Sequence, residues 1–338
     1  MTLPAQMNAM TVQKYGKHPV QKTSVPTPAI GDDDVLVKVH SASVNPLDFK
    51  IRNGDLKLVL PFSMPLVLGN DFAGTVAGVG KNVREFAVSD EVFARTDTLR
   101  IGSFGEFVAI DQSNLAKKPA NLNFNESASL PLVALTAYQA FKKMNAKAGD
   151  KVLIHAGAGG LGSVAIQIAK ILGLYVATTA SNQGLALVKS LGADEVIDYK
   201  QENFYDKLSD FDFVLDTIGG ETLEHSFKVL KRGGKVVSVA GVPTKDFAKA
   251  MGLSWVKQFI MGLISAKTHK TAQKYGVSYE FLFMKPSGKA LNIIKTWVED
   301  GKLRPIIDQV FVFDDTQKAL EYSESGRAKG KIVIQIVA

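Results

Sequence analysis

The stretch "HAGAGGLG", residues 155–162, joins an apolar run, "KVLIHA" (151–156), to an amphipathic one, "LGSVAIQIAKILG" (161–173). Its glycines at 157, 159 and 162 have G-x-G-x-x-G spacing, with Ala158, Gly160 and Leu161 between them. A buried strand before and a helix after are the context in which that spacing holds a dinucleotide. The first glycine permits a sharp turn, the second lets a pyrophosphate come up against the backbone, and the third lets helix and strand pack closely. The first-turn amides and the positive end of the helix dipole then face the phosphates. A glycine-rich turn with no ligand is the competing reading, and the flanking pattern speaks against it.

Downstream of this joint, strands and helices alternate. Strands are expected in "LYVATTA" (174–180), "EVIDY" (195–199), "FDFVLDTIG" (211–219) and "KVVSVAG" (235–241), and helices in "GLALVKSLG" (184–192) and "LEHSFKVLK" (223–231). Continuous Val, Ile and Leu strands joined by amphipathic helices predict an α/β fold, a doubly wound parallel sheet covered on both faces. A largely helical segment (246–275), a strand "GVSYEFLF" (276–283) and a helix "GKALNIIKTWVEDG" (288–301) follow.

Upstream, "DVLVKVHSASV" (34–44), "DFAGTVAGVG" (71–80), "DEVFAR" (90–95) and "GEFVAI" (105–110) read as short, mostly antiparallel strands. "NESASLPLVALTAYQAFKKM" (125–144) has helical spacing, with Asn125 as its cap. The tail "KIVIQIV" (331–337) returns to β character and is expected to rejoin the first domain's sheet. The expected division is a mostly β domain of residues 1–124 and 303–338 and a nucleotide-binding domain of residues 125–302.

At 338 residues and 46% hydrophobic, the chain has material for two cores. The 40 Lys and Arg exceed the 33 Asp and Glu, but they are spread along the chain, so no nucleic-acid partner is expected. The absence of cysteine excludes a disulfide, a thiolate nucleophile and a Cys-based zinc site. "MTLPAQMNAMTVQKYG" has no signal-peptide pattern, and "MGLSWVKQFIMGLISAK" (251–267), interrupted by Lys257, falls short of the ~20 apolar residues that span a bilayer. A cytoplasmic protein without an integral membrane segment is expected.

An NAD-selective fold places an acid ~20 residues beyond the glycines, where it holds the ribose hydroxyls. Here Ala180, Ser181, Asn182 and Gln183 stand in that place, with no carboxylate to repel a 2′-phosphate. Ser181 and Asn182 offer hydrogen bonds to such a phosphate, and Tyr199 and Lys200 add a phenol and a charge, unless they are only a surface pair ending a strand. The expected cofactor is NADPH. Gly241 and Val242, after the strand "KVVSVAG", fall where the carboxyl ends of such a sheet meet the ligand.

The stretches "SVNPLDFKIRNG" (43–54), "LGNDFAGTVAGVG" (68–80), "LPLVALTAYQA" (130–140), "VLIHAGAGGLG" (152–162), "LGADEVIDY" (191–199) and "GRAKGKIVI" (326–334) occur in order along nearly the whole chain. Together they resemble the quinone oxidoreductase (zeta-crystallin-like) branch of the medium-chain dehydrogenase/reductase superfamily. The resemblance implies a GroES-like β domain completed by the last segment, a Rossmann domain, an active site in the cleft, and commonly a homodimer. It implies NADPH-dependent reduction of a quinone, or of the C=C bond of an α,β-unsaturated carbonyl. Alternatives are an enoyl thioester or aldehyde reductase of the same superfamily, and a non-catalytic dinucleotide- or RNA-binding relative.

In the zinc-dependent members of that superfamily a Cys, a His-Glu pair and a second Cys hold the metal. The matching places here are Asn45, Asn70–Asp71 and a residue near Leu132, and the histidines at 18, 40, 155, 225 and 269 are scattered, so a metal-free reaction is expected. His155 reads as a hydrogen-bonded core residue. By resemblance Asn45, Asp48 and Asn70 stand near the nicotinamide and substrate, with Asn45 offering an amide N–H to an enolate oxygen, and Thr136 faces the nicotinamide carboxamide, unless it only bonds the preceding helical turn. An Asn-Pro-x-Asp run is equally a turn in which Asp48 bonds its own backbone. Lys331 reaches the cofactor's phosphate or ribose, or is a solvated charge. Leu56 replaces a Tyr that several relatives carry, and Gly184 a Lys that some use for the 2′-phosphate. The segment 246–275 is expected to pack against the protein, with a lid, a subunit interface or a membrane-surface helix as alternatives.

Overall fold

Two apolar runs, β3 (Asp34–Val44) and β5 (Asp71–Val79), pair antiparallel from Val35 opposite Val79 to Ser43 opposite Asp71. β3 is buried along almost its whole length, which its Val-rich sequence allows and which makes it the centre of a sheet. The computed structural model describes residues 3–337. Cα packing divides the chain into two units, one of residues Met1–Leu135 and Lys285–Ala338, the other of Thr136–Met284.

In the first unit β3 and β5 are accompanied by β1 (Gln6–Val12), β2 (Gln21–Pro26), β4 (Leu66–Val67), β6 (Glu91–Arg95), β7 (Phe107–Asp111) and β8 (Leu115–Lys117). Helices α1 (Pro46–Asn53), α2 (Phe124–Ala128) and the start of α3 (Pro131–Met144) belong to it as well. The second unit holds β9 (Lys151–Ile154), β10 (Tyr175–Ala180), β11 (Glu195–Asp198), β12 (Phe211–Asp216), β13 (Leu230–Ser238) and β14 (Ser278–Phe281). Between these run α4 (Gly160–Ile171), α5 (Asn182–Ser190), α6 (Phe204–Lys207), α7 (Gly220–Ser226), α8 (Lys245–Ala250) and α9 (Trp255–Lys274). The chain returns to the first unit as α10 (Gly288–Glu299), β15 (Ile307–Val312), α11 (Thr316–Glu324) and β16 (Lys331–Gln335).

The first unit is built on a three-stranded sheet, β2-β1-β4, and a seven-stranded one, β15-β16-β3-β5-β6-β8, with β7 also on β3. The expected return of the tail is met: β16 pairs antiparallel with β3, Val333 lying opposite Ser43. The second unit is a six-stranded parallel sheet, β11-β10-β9-β12-β13-β14. That order is 3-2-1-4-5-6 in the unit's own strands, a doubly wound Rossmann sheet whose direction of winding reverses between β9 and β12. Leu153, Val214, Val236 and Phe227 are buried in its core. Each such side chain contributes about 1.5–3 kcal/mol by leaving water.

Several boundaries differ from expectation. Residues 125–135 and 285–302 belong to the first unit, because α2 packs on β3 and β5, and α10 on β8. The run 125–144 is two helices, since Pro131 opens a new one. The cap of α2 is Asn123, whose side chain accepts from the Glu126 amide while Glu126 accepts from its own. Asn125 instead accepts a hydrogen bond from Ser41 Oγ, at 2.6 Å. The helix expected to reach residue 231 ends at Ser226, and after a short 3-10 turn the chain is already strand at Leu230.

Candidate active site

The carboxyl ends of β9, β10, β11 and β13 carry the expected cofactor residues other than Thr136 and Lys331 along one edge of the parallel sheet. β9 ends at Ile154 and turns through His155 and Ala156, the latter at φ +53°, into the glycine loop. A Cβ on Gly157 would overlap Thr178 Oγ1, and one on Gly162 would overlap the Ala156 carbonyl oxygen and lie 2.6 Å from Gly157 Cα. At Gly159, the N-cap of α4, a Cβ would meet only the Ala156 oxygen, at 3.3 Å. Gly157 and Gly162 are thus required by packing, whereas Gly159 leaves room beside the first-turn amides of α4, including those of Gly160, Leu161 and Gly162. That is the form of a diphosphate cradle.

Ser181 caps α5 without a side-chain bond, Asn182 is the helix's first residue, and Tyr199, after β11, is 58% exposed. The Lys200 amide bonds Asp198 Oδ1, at 3.0 Å. A Cβ on Gly184 would come within 2.7 Å of Ala158 Cβ, so α5 leans on the glycine loop and any larger residue at that position would have to push the two apart. Beyond β13 the Gly241 amide donates to Ser238 Oγ at 2.7 Å, and Tyr279 donates its hydroxyl to Val242 O at 2.7 Å. His155 is the expected core residue. Nε2 meets Ser226 Oγ at 2.9 Å, and burial pushes the imidazole down to about 4. Since Ser226 Oγ donates to Thr222 O, it accepts from Nε2–H, which leaves Nδ1 to accept from Thr179. Thr136 is buried in α3.

In the first unit strand register aligns a polar row, Ser43, Asp71 and Arg95, across β3, β5 and β6, with β16, which carries Lys331, on the other side of β3. Val333 lies opposite Ser43, Ser43 opposite Asp71, and Asp71 opposite Arg95. Asp71 Oδ2 accepts from Ser43 Oγ at 2.8 Å and Asn45 Nδ2 at 2.9 Å, and Oδ1 accepts from the Leu132 amide at 2.8 Å. The Lys331 ammonium donates to Asn45 Oδ1 at 2.5 Å and Val44 O at 3.2 Å, and stands 3.5 Å from Asp71 Oδ2. Asp48 Oδ2 accepts from the Asn45 amide and Oδ1 from Asn70 Nδ2, both at 2.7 Å. All of these side chains are buried.

Two expectations change. Lys331, 4% exposed, is not a solvated charge but the cation of a buried network. Asn45 donates both to Asp71 and, at 3.3 Å, to Ser43 O, so its amide N–H groups are spent inside the protein and none is aimed at a substrate oxygen. The turn reading of Asn-Pro-x-Asp is realised in the Asp48 bond to the Asn45 amide, and the same carboxylate reaches on to Asn70. Ser43 and Arg95 were not singled out from the sequence; an Arg directly after the apolar "VFA" (92–94) was the available signal. Arg95 is 1% exposed, and burial lowers its guanidinium to about 10.

Burial raises Asp48 to about 7 from the ordinary 3.8, against the opposing hydrogen bonds of Asn70 and the Asn45 amide. The folded chain therefore holds this proton more tightly than the unfolded one. The resulting stabilisation is complete below pH 4 and is lost as pH climbs through 7. Asn70 Oδ1 is buried without a hydrogen-bond partner, so half a turn of that amide lets it accept the proton of a neutral Asp48. An Asp48→Asn variant should gain on the wild type by about 4 kcal/mol between pH 4 and pH 8 in urea titrations. A difference that is flat with pH would mean that Asp48 stays ionised throughout.

Among the described residues, no three His, Cys, Asp or Glu side chains are grouped to hold a metal ion. No helix there is long and apolar enough to cross a membrane.

Residues 31–120 match the alcohol dehydrogenase GroES-like domain, and residues 191–334 match the family described as zinc-binding dehydrogenase. The chain is 36% identical to a 2-methylene-furan-3-one reductase of Solanum lycopersicum, over 99% of this chain and 80% of that protein. It is 34% identical to a chloroplastic NADPH-dependent alkenal/one oxidoreductase of Arabidopsis thaliana, over 98% and 80%. Among solved structures, the quinone oxidoreductase of Coxiella burnetii superposes with a TM-score of 0.86 at 32% identity, over 98% of this chain and 99% of that one. With a GroES-like β unit, a Rossmann unit and this full-length likeness, the chain belongs to the quinone oxidoreductase branch of the medium-chain dehydrogenase/reductase superfamily.

Proposed function

We propose that the protein is an NADPH-dependent, zinc-independent reductase acting on a quinone or on the C=C bond of an α,β-unsaturated carbonyl. The observation that carries this reading is the carboxyl edge of the parallel sheet. There Gly157, Ala158, Gly159, Gly160, Leu161 and Gly162, with Ser181, Asn182, Tyr199, Gly241 and Val242, follow successive strand ends around the point where the winding reverses. The glycine loop binds the diphosphate. Ser181 and Asn182 bind a 2′-phosphate where an NAD-selective chain would place a repelling acid, and Thr136 is assigned to the carboxamide. NADPH, when bound, supplies the hydride.

The residues at the zinc positions do not suit zinc. Asn45 and Asp71 offer an amide and a single carboxylate, and the Lys331 ammonium already sits on both, so a divalent ion would meet a buried positive charge. A quinone or enone needs no metal to accept hydride, because its conjugated carbonyl draws the electrons; what the protein must supply is alignment and a favourable potential for the developing enolate. The buried network holds the Lys331 ammonium beside Asp71, and the Arg95 guanidinium interacts electrostatically with Asp71, Asp48 and Asp97. We assign this network that potential, with Asn45, Asp48 and Asn70 as positioning residues. From the same likeness we take the working assembly to be a homodimer.

A spectrophotometric screen of quinones, enals and enones should find acceptors that consume NADPH, with kcat/KM for NADPH about tenfold or more above that for NADH. Cofactor binding without turnover by any of the three classes would overturn the assignment.

A further inference from the structure

Helix α9 leaves one side bare. Trp255 is 77% exposed, Leu263 62%, Phe259 59% and Ile264 58%, and Val256 and Ile260 are nearly half exposed. Their spacing, in steps of one, three and four residues, places all six on one side of the first three turns. On the same side the last turns carry Lys267, Lys270 and Lys274, and none of the helix's 20 residues is Asp or Glu. The packing expected of this segment is therefore not realised on this face: the buried residues of α9 are Ser265 and Ala272, on its other side.

We propose that this face seats on an anionic lipid surface. Six apolar side chains, an indole among them, enter the boundary between headgroups and acyl chains, while the lysines meet the lipid phosphates and carboxylates. The nearby acid does not cancel this charge: Glu224 reaches Lys267 at 3.1 Å, but both side chains are more than half exposed, and such a pair gives way readily to another anion. The α9 helix of a second copy is the less fitting occupant. Antiparallel pairing of two such helices sets the lysines of each against the apolar turns of the other, and parallel pairing sets lysine against lysine. Neither provides the acids that these cations need.

The test is co-sedimentation of the intact chain with vesicles of phosphatidylcholine alone or mixed with phosphatidylserine. Binding should be about tenfold or more tighter on the anionic vesicles, should weaken with added salt, and should move Trp255 emission to shorter wavelength. Phe259→Glu with Leu263→Glu should abolish binding. Lys267→Glu with Lys270→Glu and Lys274→Glu should remove the preference for anionic lipid. Unchanged melting temperatures in both variants show that the fold persists. Equal binding to the two vesicle types overturns the proposal. So does a wild-type dimer that Phe259→Glu with Leu263→Glu dissociates while no vesicle is bound, which would assign the face to a second copy.

Discussion

Replacing Lys331 with methionine is expected to destabilise the protein by about 3–5 kcal/mol, the cost of leaving one member of a buried ion pair alone. Methionine keeps most of the lysine's length and apolar contact, so the loss isolates the ammonium. Without it Asp71 keeps the donors Ser43, Asn45 and Leu132 but loses its cation, and Asn45 Oδ1 loses its 2.5 Å donor in a site where water does not replace it. Urea denaturation measures the loss. The double variant Lys331→Met with Asp71→Asn should recover much of it, because a neutral amide no longer needs a counter-charge. A single-variant loss below about 1 kcal/mol would mean that the ammonium is paired no better than at a surface.

Within the glycine loop, two alanine substitutions should have opposite profiles. Gly162→Ala forces a methyl against the Ala156 carbonyl and to 2.6 Å from Gly157 Cα; both neighbours are backbone, so the strand-to-helix turn must open. A stability loss of about 2–3 kcal/mol is expected, together with loss of NADPH affinity of about a hundredfold. Gly159→Ala meets only one atom, at 3.3 Å, and its φ of −77° suits any residue. Its stability should stay within about 1 kcal/mol of wild type, while affinity still falls about tenfold, since the methyl stands where the diphosphate approaches. Melting curves and NADPH titration separate the two. Full affinity in Gly159→Ala would show that the loop is a turn and not a cradle.

What could be read in the sequence were the features whose signal is local. The glycine loop carries its own spacing, and the Val- and Ile-rich strands with amphipathic helices between them announce a parallel sheet. The polar network is a product of register. Asp71 and Lys331 stand at opposite ends of the chain, and only the pairing of β16 on β3, and of β3 on β5, brings them together. Arg95 enters by the same route, opposite Asp71 on β6. Helix boundaries failed where two local signals competed, as when Pro131 divided a continuous helical pattern. The bare face of α9 was hidden for another reason: apolar residues at helical spacing look the same whether the protein covers them or not.

The placement of β16 between β15 and β3 bears on how the molecule is made. Residues 136–284 form one uninterrupted span and are translated well before Lys331 leaves the ribosome, so the Rossmann unit can fold while the other sheet still lacks an inner strand. Until the last residues emerge, Asp71 has no lysine beside it. A nascent chain that has already acquired its dinucleotide fold therefore still lacks the lysine counter-charge of Asp71 in its unfinished half, and the direction of synthesis favours the Rossmann unit as the first to mature.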